Sequence, residues 1–275
     1  MSQVLALTSA AFYGLADFTG GFVAKRLSVW TITAWSMLIG ASLLIVGMFV
    51  VPADHATAAD VLWGAVAGIA GLGGLVILYA TLAAGTMSVV APISGATSAV
   101  IPVVFDLLQG SALTGRQSLG VAFGVGAVLL VGAQRGTRGV SPRIIGQAVA
   151  AGALFGLFFI ALSQASSNSG LWPLVGARAA SIPLAFLIAF AAKAAAPPRD
   201  RDLWLLAAVG GLDMSANIAI ALAIQTGPLG VNAVLSSLYP VVTAVAAVFV
   251  LRERPTALQF GGIGLAIGAI VALAL

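Results

Sequence analysis

Three charged residues stand well inside long apolar runs of this sequence: Asp17, Arg178 and Asp213. In "LLAAVGGLDMSANIAIALAIQ" (205–225), Asp213 is followed one helical turn later by Asn217. An ionisable side chain in hydrocarbon is costly, so such a group faces a bundle interior or a wet cavity and pairs, relays protons or binds ions. Arg178 and Asp213 lie on consecutive antiparallel segments, so they can meet. Two readings stay open for them: a structural ion pair, or a site where Asp213 exchanges a proton or the pair engages a charged solute. Asp17 sits nearer the inner end of its helix. It is a second coupling candidate, with Lys25 and Arg26 at the interface as alternative partners.

Uncharged polar residues recur at helical spacing around these charges. Ser9, Tyr13 and Asp17 follow every four residues, and Gly210, Asp213 and Asn217 follow at three and four. Asn232, Ser236, Tyr239 and Thr243 make a longer stripe at four, three and four, and Ser94, Thr97 and Ser98 a thinner one. Each set shares one face of an α-helix. The expected substrate cavity is therefore lined by Tyr13, Asp17, Ser94, Asp213, Asn217, Asn232, Ser236 and Tyr239. The competing reading is that serines and threonines join helices to one another.

Other chemistries find little support. There is no cysteine, His55 is the only histidine and Glu253 the only glutamate, so no metal-ligand set or nucleophile–base pair presents itself. The glycine runs lie inside apolar segments and not after a strand, which argues against cofactor loops. No cofactor, metal or enzymatic activity is expected. The 12 basic residues form no patch interleaved with aromatics, so nucleic acid is not an expected partner.

The elements that hold these residues follow from composition. Of 275 residues 61% are hydrophobic and 7% charged, with mean hydropathy +1.13, whereas soluble domains carry about 25% charged residues. Ten apolar segments, about 4–24, 30–51, 61–84, 88–108, 117–134, 144–165, 171–191, 203–225, 230–251 and 257–274, are separated by short polar breaks. Most are long enough to cross the ~30 Å hydrocarbon layer. The fold class is thus all-α and polytopic in the membrane. The start of the chain, lacking a basic n-region, reads as a retained first helix.

Sliding the chain by 142 residues aligns Trp30 with Trp172, Asp60 with Asp202, Ser94 with Ser236, Thr114 with Thr256 and Gln117 with Gln259, without a gap. Two five-helix repeats result, 1–134 and 144–275, joined by a short basic linker, 135–143. An odd number of crossings turns the second copy upside down, the inverted-repeat plan of secondary transporters. Ten basic residues fall in the odd-numbered loops (Lys25, Arg26, Arg135, Arg138, Arg143, Lys193, Arg199, Arg201, Arg252, Arg254), against Arg116 in the even ones. The positive-inside rule then puts both termini outside the cytoplasmic membrane.

The stretch "VNAVLSSLYPVVTAVAAVFVLRERPTALQFGGIGLAIGAIVAL" resembles the EamA-type signature of the drug/metabolite transporter superfamily. The resemblance rests on Tyr239-Pro240-Val241, Leu251, Glu253, Gln259, Gly262 and Gly268, with Arg178 as the arginine early in the second helix of a repeat. The first repeat departs from it, with Ser111 where Glu253 stands and Ser36 where Arg178 stands. The resemblance implies ten helices around a central cavity and transport of a metabolite, amino acid or drug-like solute across the inner membrane. The expected function is a secondary permease working by alternating access, with possible proton coupling through Asp213 or Asp17. The expected partners are a small-molecule solute and membrane lipid, the state monomeric or homodimeric. The alternative is a lipid flippase or membrane scaffold whose polar stripes pack helices.

Overall fold

The computed structural model describes residues 1–83, 87–132, 141–251 and 256–274. Arg135, Arg138, Arg252, Glu253 and Arg254, which carry part of the charge bias and of the family signature, lie outside the described residues, as does most of the 135–143 linker.

The described residues contain helices and no strand: α1 (Ser2–Val23), α2 (Val29–Val50), α3 (Ala58–Ala83), α4 (Met87–Leu108), α5 (Gly115–Gly132), α6 (Pro142–Ser163), α7 (Trp172–Ala191), α8 (Asp200–Thr226), α9 (Leu229–Ser236), α10 (Tyr239–Leu251) and α11 (Ala257–Ala274). They make ten segments, because α9 and α10 are two halves of the ninth. Among the described residues, seven segments are individually long and apolar enough to span a bilayer, and α5 and α11 are shorter apolar helices. Outward-facing Phe49, Phe190, Trp204 and Phe249 are each more than three-quarters exposed, as lipid contact requires.

Local chemistry repeats with the sequence. Thr114 and Gln117 at the start of α5, and Thr256 and Gln259 at the start of α11, form the same capping box. In each, the Gln Oε1 accepts from the Thr backbone N–H at 2.9 Å and the Thr hydroxyl accepts from the Gln N–H. Gln259, one of the residues that carry the resemblance, is thus a helix-start residue. The ninth segment breaks because Pro240 has no N–H to give the Ser236 carbonyl and its ring crowds that carbonyl. The chain tightens there instead, with Leu238 N–H on the Leu235 carbonyl and Val241 N–H on the Leu238 carbonyl.

Packing exchanges elements between the repeats. α3 lies chiefly against α6 and α7 of the second repeat, and α8 against α1 and α2 of the first, while α4 meets α6 and α9 and α5 meets α11. Replacing each helix by its counterpart five segments on preserves this pattern, as an inverted repeat demands. The result is two pseudo-symmetric bodies, α1–α2–α8 and α3–α6–α7, beside a group formed by α4, α5, α9, α10 and α11. Glycines permit the closest approaches: a Cβ on Gly210 of α8 would strike the Ser36 carbonyl of α2, and one on Gly68 of α3 the Ala177 carbonyl of α7. Gly68 and Gly210 are related by the 142-residue shift.

Backbone cannot rotate aside, so Gly210→Ala is expected to lower stability by about 1–3 kcal/mol. A Cβ on Gly264 of α11 meets nothing within 4 Å. Gly264→Ala should leave stability unchanged or raise it by up to ~1 kcal/mol, since alanine is the better helix former. Thermal unfolding of the two variants in detergent checks the contrast.

One end of the bundle is tied across the repeats by carboxylates. Asp60, in the first turn of α3, accepts from the Ser166 N–H at 2.6 Å and from Thr57 at 2.7 Å, and Asp106, near the end of α4, accepts from the Gly230 N–H of α9 at 2.7 Å.

Candidate functional site

A cavity of about 60 Å³ lies between the two three-helix bodies. On one wall stand Tyr13 and Asp17 from α1 and Asp213 and Asn217 from α8, with Met37 from α2. On the other stand Leu72 and Leu75 from α3 and Phe155, Phe158 and Phe159 from α6, with Arg178 from α7 reaching across to Asp213. Ser98 of α4 and Tyr239, the first residue of α10, close it. That volume holds a few waters, each needing roughly 10–15 Å³, but is well below the ~150 Å³ of an apolar cavity that admits benzene.

Helical spacing explains how the polar wall forms. Tyr13 and Asp17 are one turn apart on α1, and Asp213 and Asn217 one turn apart on α8, so each pair projects from one face. α1 packs along α8, which brings the two faces to the same space. Arg178 Nη2 donates to Asp213 Oδ2 at 2.6 Å, with the side chains 11% and 18% exposed. This pair joins α7 of one body to α8 of the other. Asn217 Nδ2 donates to the Asp213 backbone carbonyl at 2.6 Å, which holds the amide against its own helix.

Asp17 is buried at 8% exposure, and among the described residues its carboxyl has no hydrogen bond or ion pair. It lines the cavity and does not reach back to Lys25 or Arg26. The physical reason is register: Asp17 shares the face of Tyr13, whereas the Arg26 guanidinium sits 4.9 Å over the Phe22 ring near the end of α1.

The remaining expected cavity residues are placed elsewhere. Ser236 faces Ser9 across α1, Oγ to Oγ 3.0 Å. Asn232 donates from Nδ2 to the Ala223 carbonyl of α8 at 2.8 Å, and its Oδ1 is buried without a partner. Ser94 lies behind the cavity, donating to the Ala91 carbonyl and lying 2.9 Å from the Tyr239 hydroxyl. The hydroxyl of Thr243 donates to the Gly14 carbonyl of α1 at 3.0 Å. The stripe on the ninth segment therefore serves contacts between helices, and Tyr239 alone of its members reaches the cavity, its ring edge-on to Tyr13 with centroids 6.4 Å apart. Residues on both sides of the break before Pro240 meet α1, Ser236 at Ser9 and Thr243 at the Gly14 carbonyl.

Sequence reasoning from polar residues overlooked the apolar wall, because a phenylalanine facing a cavity reads like one facing lipid. The repeat shift carries the missing signal. It pairs Tyr13 with Phe155, Asp17 with Phe159, Asn217 with Leu75 and Asp213 with Gly71, and all eight positions line the cavity. Among the described residues no three His, Cys, Asp or Glu side chains gather as a metal site would need.

Comparison with known proteins adds the following. The model of the EamA-like transporter family matches residues 1–133 and again 143–275. A search of curated proteins found no match. A solved structure, described only as the crystal structure of a protein, superposes with a TM-score of 0.79 at 18% identity, covering 98% of this chain and 95% of that one. At that identity the likeness speaks for the fold alone.

Proposed function

The chain belongs to the EamA-like transporter family, and from that premise we propose that it is a secondary permease whose solute passes through the cavity between the bodies α1–α2–α8 and α3–α6–α7. The observation that carries this reading is the charged lining: Asp17, Asp213 and Arg178 converge on one cavity between apolar helices. Burying three ionisable groups there costs stability, and a pathway for a polar solute accounts for that cost where helix packing does not.

Alternating access on this plan is a rocking of the two three-helix bodies about the cavity. The moving parts are not the repeats 1–134 and 144–275 themselves, since each body borrows its third helix from the other repeat. The Arg178–Asp213 pair spans the two bodies and is the contact that such rocking loads. Asp17, without a counter-charge, is the group we assign to proton coupling, faced by Tyr13 on its own helix, Tyr79 of α3, Asp213 of α8 and Tyr239 of α10. Asp213, held by Arg178, takes the positioning role. Placement in the cytoplasmic membrane with both termini outside follows from the charge bias of the loops and belongs to this proposal. The helix-packing alternative describes Ser94, Asn232 and Ser236 well, but not the charged wall.

The test is flux into proteoliposomes under an imposed pH gradient, with a panel of small metabolites and drug-like solutes. Accumulation of at least one solute that collapses when a protonophore dissipates the gradient is the expected result. Equal uptake with and without protein across the panel would refute a transport role.

A further inference from the structure

We propose that the solute is a small monocationic amphiphile, an amine on an aromatic or aliphatic body, bound with its ammonium at Asp17 and its body against Phe155, Phe158 and Phe159. The proposal rests on the permease reading and names the chemistry its cavity selects.

Three observations lead there. First, the cavity is divided. The inverted repeat builds its two walls from equivalent positions, yet one wall carries Asp17 and Asn217 where the other carries their repeat counterparts Phe159 and Leu75. A solute that satisfies both walls has one polar end and one apolar end, and its orientation is set by the division. Second, the charge is unbalanced. Two carboxyls and one guanidinium line the space, so one carboxyl is left without a cationic partner. Third, the guanidinium is taken. Arg178 holds Asp213 at 2.6 Å, whereas Asp17 has no ion pair or hydrogen bond among the described residues.

These exclude the other head groups in turn. A carboxylate head would have to strip Arg178 from Asp213 and then sit in a cavity holding two like charges. A zwitterion would place its ammonium well, but its carboxylate would still compete with Asp213 for Arg178. Breaking a buried charge-assisted pair to do so is expensive. A monocation needs neither step: it supplies the missing counter-charge at Asp17. The aromatic rings favour it again, through apolar contact with its body and through the attraction of ring faces for a cation. Because the cavity holds only a few waters, binding such a solute has to widen it.

The experiment uses the purified full chain and four probes: phenethylamine, phenylalanine, 3-phenylpropionate and methylamine. The first three present one phenyl body with a cationic, zwitterionic or anionic head, and the fourth has the head without the body. Affinity is read from ligand-induced thermal shift and confirmed by titration calorimetry. The expected result is a Kd for phenethylamine at least about tenfold below each of the other three, with Asp17→Asn weakening it by about tenfold or more, the range reported for pairing with a single desolvated charge. Phenylalanine or 3-phenylpropionate binding as tightly, Asp17→Asn leaving the affinity intact, or no probe binding at all would each overturn the proposal. If Asp17→Asn does not fold, the four-probe comparison on the unaltered chain decides by itself. Gradient-driven uptake of some other solute, with phenethylamine ignored, refutes this solute class while the permease reading stands.

Discussion

Arg178→Met is expected to destabilise the protein by about 3–5 kcal/mol, the cost of leaving one member of a buried ion pair without the other. Methionine fills much of the space of the arginine stem, so the loss is not one of packing. What it removes is the guanidinium 2.6 Å from the Asp213 carboxyl. The double variant Arg178→Met with Asp213→Asn leaves no isolated charge and should recover most of the loss, because replacing a whole buried pair by neutral groups is often close to neutral. Thermal unfolding of the two single variants and the double variant in detergent gives the coupling directly. A loss under ~1 kcal/mol for Arg178→Met, typical of a surface ion pair, would mean that water reaches the pair freely. The pair also links the bodies on either side of the cavity, so the double variant, though folded, should transport more slowly or without coupling.

Asp17→Asn is expected to abolish gradient-driven accumulation while leaving downhill movement of solute. One proton exchanged for each solute lets a gradient of about one pH unit sustain about tenfold accumulation, since 1.4 kcal/mol corresponds to a factor of ten. Asparagine keeps the size of the side chain but cannot release a proton, so accumulation should fall to the level of simple equilibration, a ratio of about one. The structure directs this prediction to Asp17 in preference to Asp213. Asp213 is engaged by Arg178, whereas Asp17 faces the cavity without a partner among the described residues. Uptake into proteoliposomes at equal protein content, with and without the pH gradient, measures the ratio. An Asp17→Asn ratio equal to that of the unaltered chain would remove Asp17 from the coupling step.

How far the sequence alone reached depended on the physics behind each signal. Ten apolar segments and a 142-residue internal repeat were legible because bilayer thickness and an odd helix count leave few alternatives. The meeting of Arg178 and Asp213 was legible as an option, since adjacent antiparallel helices bring them within reach, though spacing could not choose between a pair and a proton site. The stripe Asn232, Ser236, Tyr239 and Thr243 reads as one helical face only if the helix is continuous. The helix breaks before Pro240, yet three of the four residues are spent on contacts with α1 and α8, a use that spacing cannot tell from lining a cavity. Asp17 reads equally well as an interfacial residue, because its distance from Lys25 and Arg26 in sequence says nothing of which face it shares. The aromatic wall was hidden for a different reason: Phe155, Phe158 and Phe159 differ from lipid-facing phenylalanines only by what α3 places opposite them. Pairing them with Tyr13, Ala16 and Asp17 by the repeat shift would have exposed them.

If the space between the two three-helix bodies is a pathway opened alternately to either side, residues on its walls become reachable from both faces of the membrane. The chain contains no cysteine, so a single introduced thiol reports on its own position. Leu75→Cys and Asn217→Cys occupy equivalent places on the two walls of the cavity, and Ser236→Cys sits in a fully buried helix contact. Each would be exposed to a membrane-impermeant maleimide in right-side-out and in inverted vesicles. The thiols at 75 and 217 are expected to react from both faces of the membrane and the thiol at 236 to be protected from both. Reaction of the cavity thiols from one face only under every solute and pH condition, or protection of all three, would contradict such a pathway.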